Sequence, residues 1–454
     1  MTLENLKRSR MIIVTVVYVS LFLDNVLLTV VVPIIPDYLC SLDGKNSTSA
    51  IEDENGRVGF LLSSKAFVQL ILNPAVGSFT GAFGYARPLF LGNLCLLLAA
   101  LLFAFGQTYE ILFLARSIQG ISSACIGVSG MSLVASQYPE EDQRSKIMGF
   151  VLGSIALGVL LGYPIGSILY DLEGKMAPFL LVSCLIVVLI YTSFSYYVPS
   201  LVNSSFSFLL STGLQILTLD IQTDIESSNH ETDWRQLLSD PFVIIIAGAI
   251  WCSTSPMAIL EPCLPIWLRT HIKPKKWQLG TVFIPDSVGY LIGTNFFGMI
   301  AYRYGRSRVA ILAMLLVGIT AILIPSAMTM SQLIFPHFGM GLGIGIADAA
   351  LVPLLASLVD QNGNYGPVYS IQQVAVSLAY FLGPIMGGVL VREIGFRWVM
   401  RIIGVANIIY CPILLFLALR KKKSLSKEDK EKDYDTFHKG LMKYEKFQNL
   451  DDDL

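Results

Sequence analysis

About twelve stretches of mainly apolar residues, each roughly as long as a bilayer is thick, run through this 454-residue chain. A helix needs ~20 such residues to cross the hydrocarbon core. Scanning on that basis predicts spans at 11–36, 58–82, 88–107, 109–135, 147–170, 176–198, 241–264, 278–300, 309–329, 331–359, 366–391 and 396–419. Runs of this length, without two-residue alternation, exclude an outer-membrane barrel. Only 14% of the residues are charged, against ~25% in soluble domains. Too little charge remains for a water-facing surface, which excludes an ordinary soluble enzyme, a nucleic-acid binder and a disordered scaffold. A net charge of −1 offers no field to a polyanion. The seven Cys include no C-x-x-C and no metal-ligand spacing, so they read as small hydrophobes and no metal site is expected. No phosphate-cradling G-x4-G-K-[ST] loop is present, and neither a cofactor nor enzymatic activity is expected. The class is an all-α polytopic membrane protein.

Charge flanking orients it. Lys7, Arg8 and Arg10 precede the first run, which is too long for a signal peptide and carries Asp24, so an uncleaved signal anchor is expected. With the basic tail from Arg420, this places both termini in the cytosol. A polar connection at 199–240 separates a first group of six spans, 1–198, from a second, 241–419, and a tail occupies 420–454. The connection opens with a semi-apolar piece, 206–219, too short to span and read as interfacial or disordered. Asn46-Ser47-Thr48 is a glycosylation sequon on the lumenal side. Tyr434 and Tyr444 each begin a Tyr-x-x-bulky pattern of the kind that sorting adaptors read.

The two groups repeat each other. Gly77, Gly84 and Arg87 follow one another as G-x6-G-x2-R, and Gly298, Gly305 and Arg308 do so 221 residues later. The same shift maps Gly162 onto Gly383 and Gly166 onto Gly387. Small residues do favour close helix packing generally, but one shared offset across loops and helices points to duplication. Six plus six helices with a long middle loop is the architecture of a major facilitator transporter, with substrate bound between the halves near the midplane. The segments 77–87 and 298–308 resemble that superfamily's loop signature. Gly158-x3-Gly162-Tyr163-Pro164-x-Gly166 resembles the proline–glycine signature of its antiporters.

Six charges stand inside predicted spans: Asp24, Lys65, Arg116, Glu261, Asp286 and Asp348, with His337 a further polar candidate. Each costs at least ~2.5–3.5 kcal/mol at the bilayer centre, so they must face one another or a wet cavity. Four acids against two bases suit a cationic substrate, protons, or both. A poorly hydrated carboxylate can exchange a proton for another cation. Aromatic faces add cation–π attraction, and Trp267, Tyr290 and Tyr380 are candidates, each equally able to serve as packing. Arg116 could equally brace the first half. Cation/proton antiport is as far as the charges themselves lead.

The chain further resembles the vesicular monoamine transporters. The likeness runs through Leu23-Asp24-Asn25 to Thr29, Pro33 and Pro36, then Ser64-Lys65-Ala66 with Asn73-Pro74 and Ala115-Arg116-Ser117-x-Gln119-Gly120. It continues in Leu260-Glu261-Pro262-x-Leu264-Pro265-Ile266-Trp267, Lys276-Trp277-Gln278-Leu279-Gly280, Tyr290 to Asn295, Ala347-Asp348, and Tyr380 before Gly383-Pro384. The related acetylcholine carriers share much of it, while Leu28-Thr29 and Pro265-Ile266-Trp267 fit the monoamine pattern better. The resemblance implies proton-driven loading of monoamines (the serotonin, dopamine, octopamine and histamine class) into secretory or synaptic vesicles, the gradient being made by a separate pump. It implies that Asp24 meets the amine, with Asn25 and the span-seven position Thr254 beside it. It also implies that Asp24, Glu261 and Asp348 take part in proton coupling, the last two in cation recognition as well, that Tyr290 and Tyr380 line the pocket, and that Lys65 pairs with an aspartate in span eleven.

Four positions depart from that pattern. The span-eleven aspartate is Gln373, so Lys65 is expected to donate a hydrogen bond to an amide. A pocket asparagine is Thr254. The first lumenal loop is short, and its Cys40 has no counterpart after span seven for the family's lumenal disulfide. Asp286 is an acid where the family has a small residue; either it restores, directly or through water, the charge balance that Gln373 removes, or it lines the lumenal vestibule and attracts cations. A carrier of another organic cation (acetylcholine, a polyamine, a drug) and a non-transporting sensor of the same fold remain as alternatives.

Overall fold

The computed structural model describes residues 3–43, 48–197, 234–272, 281–359 and 364–416. Asn46, the 206–219 piece, the Lys276 motif, Tyr434 and Tyr444 lie outside the described residues, as does the side chain of Cys40.

Apolar runs of this length satisfy their backbone hydrogen bonds internally only as helices, and no strand occurs among the described residues. Twelve long helices do: α1 (Leu3–Asp43), α2 (Thr48–Phe83), α3 (Ala86–Phe105), α4 (Tyr109–Gln137), α5 (Glu141–Glu173), α6 (Met176–Tyr197), α7 (Pro241–His271), α8 (Ile284–Tyr304), α9 (Arg306–Leu323), α10 (Met330–Ala356), α11 (Gly366–Ile394) and α12 (Phe396–Phe416). A short helix, Trp234–Ser239, precedes α7. Ten of the twelve are long and apolar enough to cross a membrane. The expected G-x6-G-x2-R loops shrink to single turns: Gly77 and Gly298 lie inside α2 and α8, which run on to Phe83 and Tyr304.

The duplication is written into local geometry. Gly84 and Gly305 break the chain at positive φ (73° and 99°), and so do Gly174 and Gly395 (77° and 84°). Each pair is 221 residues apart, and side chains rarely adopt this backbone region. Thr108 and Thr329, at the same offset, cap α4 and α10 through their hydroxyls. Within each half the glycines seat one helix on another: Gly158 and Gly162 meet the Phe22–Thr29 stretch of α1, and Gly383 and Gly387 meet Ala258 and Ile259 of α7. The proline–glycine signature is thus the α1–α5 contact, and its repeat is the α7–α11 contact.

The halves join through α2 against α11 and α5 against α8. At the near end, where α1 begins, Arg306 Nη2 donates to Ser145 Oγ at 2.8 Å and stands 3.3 Å from Glu141 Oε2. Arg144 donates to the Tyr365 hydroxyl at 3.1 Å with its guanidinium over that ring. The Tyr365 N–H donates to the Tyr85 hydroxyl, a phenol whose pKa burial raises. At the far end Lys175, in the α5–α6 turn, lies 3.9 Å from the Tyr38 ring centroid and donates to the Gly106 carbonyl. Burial brings its ammonium down to about 8.

Glycine at 341 permits the tightest crossing in the second half, because a Cβ there would run into the Asp286 backbone carbonyl. Gly341→Ala is expected to lower stability by at least about 1–3 kcal/mol. Gly388→Ala, with open space around it, should leave the melting temperature of the detergent-solubilised protein unchanged.

Candidate functional site

The sequence-predicted charges converge at the junction of the halves as two facing groups. In the first half Asp24 of α1 is buried, and both its oxygens lie 2.8 Å from the Ser123 hydroxyl of α4. Lys65 of α2 places its Nζ 3.8 Å from Asp24 Oδ2, with side-chain exposures of 11% and 7%. At that separation the gross attraction is about 4 kcal/mol with an effective dielectric of ~20, offset by the desolvation of both groups. Arg116, two turns before Ser123 on the same face of α4, donates to Gln119 Oε1 at 2.7 Å. Gln119 in turn donates to the Asp24 backbone carbonyl.

In the second half two carboxylates each receive a tyrosine hydroxyl. Tyr290 of α8 donates to Asp348 Oδ2 of α10 at 2.7 Å. Tyr163, which belongs to the first half, donates to Glu261 Oε1 of α7 at 2.7 Å. Glu261 also lies in the fields of Arg116 and Lys65, so it links the halves electrostatically as well as by that hydrogen bond. Asp286, in the first turn of α8, shares its surroundings with Glu261. Tyr380 of α11 stands within electrostatic reach of Glu261, Asp286 and Asp348.

Several expected partners separate. Gln373 accepts from Gln69 at 3.3 Å and rests its amide beside Gly127, so its partner is one helical turn past Lys65. Lys65 turns instead to Asp24, the carboxylate within its reach. Asp286 therefore does not stand in for the missing span-eleven acid at Lys65; its charged neighbour is Glu261. Trp267 is stacked between His271 and Phe396, 5.0 and 5.1 Å away, and is buried there as packing rather than beside Glu261. Thr254 and Asn25 are buried, and each donates to the carbonyl four residues earlier, Ile250 and Leu21. His337 is fully buried against Phe283.

Sequence reasoning missed Tyr163, Ser123 and Gln69. Tyr163 sits inside the proline–glycine motif, where the glycines drew notice and the phenol did not. Ser123 lies seven residues after Arg116 and so on the same helical face, which is the signal that could have found it.

No group of three or more His, Cys, Asp or Glu able to hold a metal occurs among the described residues. The arrangement is instead an enclosed patch of four carboxylates and two bases at the interface of two six-helix bundles, able to bind cations and exchange protons.

Comparison with known proteins agrees with this geometry. The Major Facilitator Superfamily profile matches residues 14–271 and 246–448. The human organic anion transporter MFSD10 (TETRAN) superposes with a TM-score of 0.67 over 89% of this chain and 99% of its own, at 18% identity, a likeness of fold alone. The Synaptic vesicular amine transporter of Homo sapiens is 36% identical, covering 91% of this chain and 89% of its own. The Chromaffin granule amine transporter of Rattus norvegicus is 35% identical over 98% and 96%. The Probable vesicular acetylcholine transporter-B of Danio rerio is 35% identical over 90% and 80%. These matches extend along nearly the whole chain. The chain belongs to the vesicular amine transporter family of the major facilitator superfamily.

Proposed function

We propose that the chain is a proton-coupled antiporter that loads small cationic monoamines into secretory or synaptic vesicles by alternating access. The observation that carries this is the pair of tyrosine-bonded carboxylates, Glu261 and Asp348, with Glu261 lying in the fields of Lys65 and Arg116 across the junction of the halves. A carboxylate in such surroundings can hold either a proton or the field of an ammonium, but not both at once, and that exclusion is the basis of exchange. Tyr290 and Tyr380 supply aromatic surface next to the acids. With both termini in the cytosol, the Arg306–Glu141 and Arg144–Tyr365 contacts close the cytosolic side, and rocking of the halves would break them to admit substrate. Glycosylation at Asn46 and adaptor reading at Tyr434 or Tyr444 fit the same route to a vesicle.

The test is uptake. Acidified vesicles from cells expressing the protein should concentrate at least one of serotonin, dopamine, octopamine or histamine, and collapsing the proton gradient should abolish the accumulation. Accumulation of acetylcholine alone would assign the chain to the other branch of its relatives. Failure to accumulate any of these amines would remove the monoamine reading.

A further inference from the structure

The second half holds two carboxylate oxygens that no described residue satisfies. Asp286 is 7% exposed and its Oδ1 accepts no hydrogen bond among the described residues. Asp348 is 8% exposed, and its Oδ1 is likewise unpartnered, the other oxygen being taken by Tyr290. A buried oxygen without a donor is strongly disfavoured, and its persistence points to a group that arrives there. The remaining acids are already engaged: Asp24 by Ser123 and Lys65, Glu261 by Tyr163 and the field of Arg116. At the Asp286 end a third unsatisfied group stands one turn before Gly341. This is His337, 0% exposed, with neither ring nitrogen partnered among the described residues.

The two open carboxylates are separated in a defined way. Helices α8 and α10 run parallel, with Gly341 against the Asp286 backbone and Gly345 against that of Tyr290. Asp348 comes seven residues after Gly341, which at 1.5 Å per residue puts the acids roughly 10 Å apart along the axis. Tyr380 lies within electrostatic reach of both. Counted formally, Asp24, Glu261, Asp286 and Asp348 against Lys65 and Arg116 leave two negative charges. A ligand with two ammonium groups cancels them without a buried residue of charge.

We infer that this pocket, which rests on the reading of the chain as an amine carrier, is built for linear amines charged at both ends, one ammonium at Asp286 and the other at Asp348. The methylenes between them lie beside Tyr380. A monoamine fills one pole and leaves the other carboxylate to a proton.

The experiment uses the full chain in proteoliposomes with an acidified lumen. Uptake of a labelled monoamine is inhibited with α,ω-diaminoalkanes of graded length and with monoaminoalkanes of equal carbon number. Diamines of one intermediate length should inhibit at concentrations about tenfold lower than their matched monoamines. The ratio of the two inhibition constants, taken within each variant, should fall to near unity in Asp286→Asn. In Asp286→Glu the advantage should persist and shift to a shorter diamine, because the longer side chain narrows the gap. Diamines no better than matched monoamines, or an advantage that survives Asp286→Asn, would overturn the inference while leaving amine transport standing. If no amine at all is accumulated, the carrier reading falls instead. Thermal stabilisation of the solubilised protein by diamine over matched monoamine then still decides the inference.

Discussion

Replacing Asp24 by Asn is expected to abolish amine accumulation and to destabilise the protein at the same time. The new amide can still accept from Ser123, but Lys65, 3.8 Å away and 11% exposed, loses its counter-charge. Breaking a buried pair from one side typically costs about 3–5 kcal/mol, because the remaining charge stays desolvated. The melting temperature of solubilised Asp24→Asn should therefore drop clearly. Adding Lys65→Met should recover most of that loss, since the stranded charge is gone, while accumulation stays absent. The two readouts separate a structural role from a transport role. Near-normal accumulation by the single variant would mean that the α1 carboxylate is dispensable.

Glu261→Gln and Asp348→Asn are expected to lose coupling rather than structure. In each case the amide oxygen keeps the tyrosine hydrogen bond, to Tyr163 or Tyr290, so packing should hold and the melting temperature change little. What disappears is the group that can release a proton on one side and take one up on the other. Accumulation under an imposed gradient should fall to the level seen with the gradient collapsed. Exchange of labelled for unlabelled amine, which moves no net proton, should survive at least in part. A carrier with Asp348→Asn that still concentrates amine only into an acidic lumen would exclude Asp348 from coupling, and the same holds for Glu261→Gln.

Twelve helices, two halves and the repeat between them were legible in the residues because each rests on a local or periodic requirement. Apolar length sets the helices, and Gly84, Gly174, Gly305 and Gly395 sit where the backbone turns through positive φ. Thr108 and Thr329 stand where a helix needs an N-terminal acceptor. The intramembrane charges were legible for a similar reason: each is costly at its position whatever surrounds it.

Partners were not legible in the same way. Which acid meets Lys65 depends on how α1, α2 and α11 pack, and the packing hands Lys65 to Asp24 and Gln373 to Gln69. Trp267 lies two turns from Glu261 in the chain, yet its ring belongs to a stack with Phe396 of α12. The Tyr163–Glu261 bond spans 98 residues and joins the two halves, so no spacing within either helix announces it. The sequence by itself determined that this chain crosses a membrane as a duplicated helical bundle and that it must shelter four acids and two bases there. Both follow from the cost of placing each residue in hydrocarbon. Only the tertiary structure decided which charges neutralise one another and which carboxylate oxygens stay open. Pairing falls off within a few ångströms, and those ångströms are set by helix contacts between residues remote in sequence.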